Sequence, residues 1–164
     1  MNKSTDISEE KPRHHDPEIR HASIIFANMK RQLKTQGLMD DAEIDQKERI
    51  IHTRIKIDIG FVDLFLQCDI ERGQVVISAV TPLIIRADLR DRYLEAFNKD
   101  NPHIYLGFFY LDEEGRVIFR TSFFYREYKN LNEMTFGLHL MGAIATVEAC
   151  LPSKSETADH CGTQ

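Results

Sequence analysis

Three consecutive carboxylates, Asp112, Glu113 and Glu114, are the residues whose types and spacing most suggest acid–base chemistry. Such chemistry needs carboxyl groups whose pKa values are driven apart by burial or by a close neighbour. Their stretch, LDEEGRV, instead has an acid at the first turn position and a glycine at the fourth, which is typical of a three-residue hairpin loop with a bulge. We therefore predict a solvent-facing turn in which Asp112 faces Arg116, and no catalytic pair.

Histidines offer a second set of candidates, for metal binding or proton transfer. His14, His15 and Asp16 come just before a predicted helix that contains His21. An Asp before Pro is more typical of a helix N-cap than of a metal ligand. His139 lies at the centre of the last predicted helix, where we expect a hydrogen-bonded or half-exposed side chain, because the sequence places no nucleophile beside it.

The cysteines and glycines show no arrangement that indicates a site. Cys68, Cys150 and Cys161 are too widely spaced for a disulfide framework or a zinc knuckle, and we predict buried thiols at Cys68 and Cys150. The glycines stand singly, so there is no glycine-rich phosphate loop. The sequence therefore predicts no catalytic residue, no cofactor and no metal ion.

Composition limits the class of partner. The chain of 164 residues carries a net charge of −5, and its densest basic stretch, RADLRDR, is interleaved with aspartates, so nucleic acid is an unlikely ligand on electrostatic grounds. No apolar run approaches the ~20 residues that span a bilayer. The first fifteen residues contain no hydrophobic secretion segment. We expect a cytoplasmic protein that binds neither nucleic acid nor membrane.

An amphipathic helix is predicted to open the folded part. Asp16 is placed as its N-cap and Pro17 as its first residue, while Gly37 followed by Leu38 predicts a Schellman-type end. Apolar residues recur between them at steps of three and four, at Ile19, Ala22, Phe26, Met29 and Leu33. An antiparallel meander is then predicted from the alternating stretches IIHTRIKID, FVDLFLQCD and QVVISAVT.

A short helix, a hairpin and a long helix complete the predicted order αβββαββα. The short helix is DLRDRYLEAFNKDN, and the hairpin joins HIYLGFFYL to RVIFRTSFFY, with Phe109 opposite Phe119 and Tyr105 opposite Phe123. The last helix places Met134, Leu138, Met141, Ala145 and Cys150 near one side, and we expect close packing against the sheet to offset the helix cost of Gly137 and Gly142. The predicted fold class is α+β, with a five-stranded antiparallel sheet that has the long N- and C-terminal helices on one face. We expect residues 16–152 to form a single domain between flexible polar tails at 1–15 and 153–164.

Aromatic residues point to both faces of this sheet. Nine of the fifteen aromatics fall between Tyr105 and Tyr128, and the strand HIYLGFFYL is apolar on both alternating sides. Two long helices can cover one face and the short helix part of the other. We predict that the remainder is an interaction surface, although scattered surface hydrophobes are the alternative. Its candidate residues are Phe61, Phe65, Tyr105, Phe109 and Phe124.

The stretch from Val75 to Phe124, followed by a long helix, resembles the YbjN family of bacterial proteins, and the likeness extends over about residues 17–151. The matching features are a Pro-containing link after a strand, Asn98 and Asn101 near the end of the next helix, Gly107 with Phe108 in the following strand, and the LDEEGRV hairpin. The element order is also similar to class I type III secretion chaperones. Those are small acidic homodimers that hold an extended segment of an effector protein.

This resemblance implies long N- and C-terminal helices on one sheet face, a dimer or partner surface on the other, and no catalytic residues. We therefore predict a non-enzymatic protein-binding module, a regulator or chaperone-like homodimer that takes a partner segment on its sheet face or edge. The alternative is a small-ligand-binding protein or enzyme with a pocket between helix and sheet. Binding of RNA by the sheet aromatics is disfavoured, because the element order differs from βαββαβ and LGFFYLDEEG is acidic.

Overall fold

The computed structural model of the chain describes residues 17–58, 60–125 and 133–150, and in these ranges it contains three α-helices and six strands. The predicted α+β class is confirmed. Short 3₁₀ turns flank the second helix, at Ala87–Leu89 and Asn101–His103. In chain order the elements are α1 (Pro17–Thr35), β1 (Glu43–Asp45), β2 (Ile50–Ile57), β3 (Gly60–Asp69), β4 (Gln74–Ile84), α2 (Arg90–Asp100), β5 (Phe108–Leu111), β6 (Arg116–Phe124) and α3 (Glu133–Cys150).

The strands form one antiparallel sheet in the order β1-β2-β3-β4-β6-β5. The predicted meander is β2 to β4. The prediction of five strands was wrong by one, because β1 adds a sixth at the edge. All three residues of β1 are exposed, so the strand has no alternation of burial that its sequence could reveal.

Helix α1 ends as its sequence predicts. Gly37 has a φ of 70°, the left-handed region that favours glycine. The Leu38 N–H donates to the Leu33 carbonyl at 2.9 Å, and the Gly37 N–H donates to the Lys34 carbonyl at 3.1 Å. These two bonds are the Schellman pair, and they turn the chain from α1 towards the sheet.

The β5–β6 hairpin has the predicted register close to its turn. Phe109 pairs with Phe119, and the Asp112 N–H donates to the Arg116 carbonyl at 3.2 Å. Gly115 has a φ of 84°, as a bulged three-residue loop requires. The expected pairing of Tyr105 with Phe123 was wrong, because β5 begins only at Phe108 and Tyr105 lies in the bend before it.

The sheet has an inner face that carries the core and an outer face. The inner residues of the four central strands, including Leu64, Ile77 and Phe119, form one buried cluster with residues of α1 and α3. Helix α2 lies on this side too, because the Phe97 ring stacks on Phe109 at 5.6 Å and Phe109 contacts Phe119 at 5.0 Å. The expectation that the short helix covers part of the other face was therefore wrong, and each of α1, α2 and α3 packs on the inner face.

Helix α3 packs against the sheet with the side opposite to the one that the sequence analysis marked as apolar. Its buried residues are Phe136, Leu140, Ala143 and Val147. The helix is apolar all round, so a period of 3.6 residues does not single out one face. The predicted close packing is found at one of its two glycines. A Cβ on Gly142 would lie 2.5 Å from Leu106 Cδ1. A Cβ on Gly137 would meet nothing within 4 Å.

Candidate functional site

The outer face of the sheet carries four of the five exposed aromatic side chains in the described part of the chain. Antiparallel pairing puts Phe65 of β3 in line with Ser78 of β4, Arg120 of β6 and Phe108 of β5. Paired residues share a face, so these four side chains cross the outer face in one row. The exposed outer phenylalanines have 38% to 58% of their surface accessible, and they are Phe61, Phe65, Phe108 and Phe124. We call these four residues the outer aromatic surface.

Smaller apolar side chains fill the space between these rings. Val76 and Ile118 lie on the outer face, yet each is buried although no described helix lies over it. Their burial comes from taller neighbours on adjacent strands. Tyr110 pairs with Ile118 and is half-buried. The outer face is therefore mixed, with apolar side chains such as Phe65, Val76 and Ile118 set among polar ones such as Asp63, Ser78 and Arg120.

The structure divides the five predicted surface residues into three groups. Phe61, Phe65 and Phe124 lie on the outer face. Tyr105 is 96% exposed but belongs to the bend before β5 and not to the sheet. Phe109 is only 4% exposed and packs in the core, because its pairing with Phe119 turns it to the inner face. Its inclusion in an exposed surface is therefore corrected.

Phe108 is the outer-face residue that the sequence interpretation missed. It pairs with Arg120, an outer residue, and its ring lies 5.9 Å from that of Tyr110. The signal was available, since the predicted pairing of Phe109 with Phe119 places the neighbouring residue on the opposite side of the strand. Because side chains alternate along a strand, that pairing would have placed Phe108, and not Phe109, in the predicted interaction surface.

A charged cluster borders the surface on β2 and β3. The Asp63 carboxylate accepts hydrogen bonds from Arg54 Nε at 2.8 Å and lies 3.0 Å from His52 Nε2, while His52 Nδ1 is 3.6 Å from the Glu43 carboxylate. Partial burial raises the pKa of Asp63, but hydrogen bonds from Arg54 and His52 outweigh it and hold the pKa below 3.8. The His52 ring stacks on Phe65 at 4.5 Å. This cluster therefore holds one ring of the outer aromatic surface in place.

One edge of the sheet is closed by a side chain. Asn101, just after α2, donates from Nδ2 to the Phe109 carbonyl at 2.9 Å and accepts from the Phe109 N–H at 2.7 Å. A neighbouring strand would make the same two bonds. The amide of Asn101 therefore occupies the backbone N–H and C=O of Phe109, which β5 would otherwise offer to another chain. At the other edge, β1 is exposed along its whole length.

The acidic turn has the structural role that its sequence predicts. Asp112 Oδ1 accepts from the backbone N–H groups of Glu114 at 3.0 Å and Arg116 at 2.8 Å, and Oδ2 accepts from Arg116 Nε at 2.6 Å. Desolvation raises the pKa of Asp112, but these bonds outweigh it and lower the pKa. Glu113 and Glu114 are exposed. The carboxylates thus fix the loop and are not arranged as a general acid and base.

A groove between α2, β5 and the end of α3 is the candidate for the alternative, a small-ligand pocket. It encloses about 350 Å³ and is lined by Phe97, Asp100, His103, Ile104, Phe109 and Cys150. Cys150 is exposed, so the prediction of a buried thiol there was wrong, whereas Cys68 is buried as predicted. Desolvation, and then the charge of Asp100, raise the pKa of Cys150. A thiol that is harder to ionise is a poor nucleophile, so this groove contains no activated cysteine.

The remaining histidine candidates differ: the His21 ring lies edge-on to Tyr125 at 5.4 Å, and its buried Nε2 has no hydrogen-bond partner among the described residues, whereas His139 is hydrogen-bonded. The His139 ring packs on Phe123, and its Nδ1 lies 2.6 Å from the Thr121 hydroxyl, which confirms the predicted hydrogen-bonded role. Burial lowers the pKa of His139. His14 and His15 lie outside the described residues. Within them, no three His, Cys, Asp or Glu side chains converge to hold a metal ion.

Comparisons with known proteins find solved structures similar to this one, but no match by sequence. No family model matches the chain, and no curated protein sequence matches it. None of the helices within 17–58, 60–125 and 133–150 is long and apolar enough to cross a membrane. Likeness is therefore found at the level of the fold.

Three solved structures share that fold. YbjN from E. coli is 11% identical, with a TM-score of 0.58, and the match covers 82% of this chain and 91% of YbjN. The HopA1–SchA chaperone–effector complex contains a chain that is 21% identical, with a TM-score of 0.52 and coverage of 77% and 94%. A chain of the ExsC–ExsE complex is 18% identical, with a TM-score of 0.52 and coverage of 78% and 96%. The chain therefore has the fold of YbjN and of the type III secretion chaperones.

Proposed function

We propose that this chain is a non-enzymatic protein-binding module, a regulator or chaperone-like protein that holds a segment of a partner protein on the outer face of its sheet. The observation that carries the proposal is the outer aromatic surface, which no described helix covers. Apolar patches of this kind on soluble proteins mark interaction sites, because exposing several large rings to water is costly.

The geometry favours a segment that lies flat across several strands. Phe65 and Phe108 are separated by the strands β4 and β6, so the rings are spread across the sheet. Strands lie about 4.8 Å apart, so a row that runs from β3 to β5 spans about 14 Å. That length suits between two and three turns of a helix, at about 5.4 Å per turn, or a short extended peptide whose apolar residues enter the spaces between rings.

Proteins of the same fold support this proposal. SchA has been solved as the chaperone in a complex with the effector HopA1, and ExsC has been solved in a complex with ExsE. YbjN has been described as a candidate transcription regulator. By analogy, we propose that this chain acts in a bacterial cytoplasm as a homodimer with a protein ligand. Fold-level analogy alone does not identify that ligand.

Charge substitutions on the outer face test the proposal. Phe124→Asp and Phe61→Asp place a carboxylate where a partner must bury a ring, so each should abolish capture of protein partners from lysate. Ile19→Asp is the control, because Ile19 is also an exposed large apolar residue but lies on α1, on the helical side of the sheet. Quantitative mass spectrometry of the captured proteins, with circular dichroism to confirm folding, gives the result. Capture that is unchanged in both outer-face variants would overturn the proposal.

A small ligand in the groove beside Cys150 is the second candidate function, because this groove is apolar at Phe97 and Ile104 and polar at Asp100 and His103. Native mass spectrometry of the purified chain separates the two functions. A bound metabolite that is lost in an Ile104→Trp variant, together with no captured protein, would favour the groove. Partner capture that survives Ile104→Trp and is lost in Phe124→Asp would favour the outer face.

A further inference from the structure

Two cationic side chains, Arg120 and Lys56, lie among the rings of the outer aromatic surface. Arg120 of β6 is exposed and pairs with Phe108 of β5, while Lys56 of β2 is exposed and pairs with Phe61 of β3. In the part of the chain that the structure describes, neither side chain makes an ion pair or a hydrogen bond. Each of these charges therefore lies beside an exposed ring. We call Arg120 and Lys56 the outer cations.

The carboxylates of β3 on the same face are already paired with other bases. The Asp63 carboxylate lies 2.8 Å from Arg54 Nε, and the Asp69 carboxylate lies 3.6 Å from Arg72 Nη1. Neither acid can turn to an outer cation without giving up its own partner. Among the described residues, the two positive charges beside the rings are therefore left without a local counter-charge.

A partner segment that covers the rings must also remove water from the outer cations. Burial of an unpaired charge is costly, whereas a carboxylate supplied by the partner replaces the lost water with a charge-assisted hydrogen bond. A purely apolar segment leaves the cations unpaired, and a basic segment adds repulsion between like charges. Charge complementarity therefore selects a segment that carries acids among its apolar residues.

The position of Arg120 limits where the acid must lie. Arg120 stands inside the row of paired outer residues, one strand away from Phe108 and two strands away from Phe65. At about 4.8 Å per strand, these separations are about 5 and 10 Å. A helical turn rises about 5.4 Å, so a bound helix would place its acid one turn from the residue on Phe108 and two turns from the residue on Phe65.

Nucleic acid is the other class of polyanion that binds rings and cations on a sheet. Two cations are few for a phosphate backbone, whose binding depends on the number of phosphates that are neutralised. The chain carries a net charge of −5, and β1, at the edge of the same sheet, exposes Glu43 and Asp45. A protein segment with a small number of acids therefore matches the outer face better than a phosphate chain does.

We propose that the outer aromatic surface takes an acidic amphipathic segment of a partner protein. The segment sets one carboxylate on Arg120, between apolar residues that pack on Phe65 and Phe108, and a second near Lys56. This inference rests on the proposed function and adds the chemistry of the partner.

Selection from a displayed library of random peptides of about 16 residues, or roughly four helical turns, tests this chemistry. Wild type should enrich peptides with Asp or Glu at the spacing given above, and Arg120→Glu should shift the enriched residue to Lys or Arg. Peptides that are lost in Phe124→Asp but show no excess of acids would overturn this inference and leave the proposed function standing. Enriched peptides that are all retained in Phe124→Asp, or no enrichment at all, would overturn both.

Fluorescence anisotropy with one enriched acidic peptide measures the contribution of Arg120. Arg120→Gln should weaken the dissociation constant by about tenfold, and added salt should narrow the difference. Arg92→Gln is the matched control, because it makes the same change of charge at an exposed residue of α2, on the helical side. Circular dichroism confirms that both variants fold.

Equal affinity of the Arg120→Gln and Arg92→Gln variants for this peptide would contradict the proposal. A labelled single-stranded oligothymidylate is the second probe in the same assay. It should bind much more weakly than the peptide. Oligothymidylate that binds as tightly as the peptide and is released by Arg120→Gln would overturn the proposal in favour of nucleic acid.

Discussion

Phe119 and Phe124 stand on the same strand, β6, and face opposite sides of the sheet. Phe119 is fully buried on the inner face beneath the helices, whereas Phe124 is more than half exposed on the outer face. The same residue type therefore serves two purposes in one strand. In the described residues three helices cover one face of the sheet and none covers the other. The exposed apolar side chains on the outer face are therefore not buried in the core of the monomer.

The largest expected effect is a difference in stability between these two positions. Phe119→Ala should lower the free energy of unfolding by about 3–5 kcal/mol, because it leaves a cavity in a packed core. Phe124→Ala should lower it by about 1 kcal/mol or less, because the ring is already partly in water. Urea denaturation of both variants measures the difference. Similar losses at the two positions would show that the outer face is also part of the folding core.

A smaller effect is expected at the closed edge, where the inner and outer faces meet. Asn101→Ala removes both bonds to the Phe109 backbone, and we expect a loss of about 1–3 kcal/mol. Asn98→Ala is the matched control, since Asn98 is exposed on α2, and it should change stability by no more than about 0.5 kcal/mol. Denaturant melts give both values. An Asn101→Ala variant as stable as Asn98→Ala would mean that water replaces the amide without cost.

The inner face should respond to pH near neutrality through His139. Its folded pKa lies below the unfolded value of 6.5, so the unfolded chain binds the proton more readily. The stability that depends on neutral His139 is present above pH 6.5 and is lost as pH falls through the folded pKa. We expect the stability advantage of wild type over His139→Gln to shrink between pH 7.5 and 5, as measured by urea melts at each pH. A constant advantage would contradict a titrating His139.

Asp63 on the outer face should respond in acid, and by the smallest amount. The folded pKa of Asp63 lies below its unfolded value of 3.8, so its contribution is present above pH 3.8 and is lost as pH falls through the folded pKa. Wild type should exceed Asp63→Asn slightly in stability at pH 6, and the two should converge at low pH. High salt should reduce the difference as well, because the cluster is partly exposed. A difference that grows in acid would contradict this sign.

The sequence was sufficient to predict those features whose conformation depends on a few adjacent residues. The end of α1 follows from Gly37 and Leu38, and the β5–β6 turn follows from Asp112 and Gly115. In each case a few adjacent residues determine the backbone conformation through hydrogen bonds and a positive φ. The element order, apart from β1, and the resemblance in fold were therefore predictable.

Features that depend on tertiary contact were not. The orientation of α3 is set by which of its apolar sides meets the sheet, and a helix that is apolar all round carries no such preference in its sequence. The placement of α2 depends on the stack of Phe97 on Phe109, which joins residues of two elements. The same limit applies to the predicted interaction surface. The sequence showed an excess of aromatic residues, but it took the pairing of β5 with β6 to show that Phe108, and not Phe109, faces outward.

The amide of Asn101 has a consequence for how copies of this chain can aggregate. A cross-β fibre grows only if every subunit offers two free strand edges, one on each side. Here β5 is four residues long and the Asn101 amide already occupies the backbone groups of Phe109, so among the described strands the β5 edge offers less free backbone for addition. Addition of a second copy at the β5 edge would first have to displace this one amide side chain.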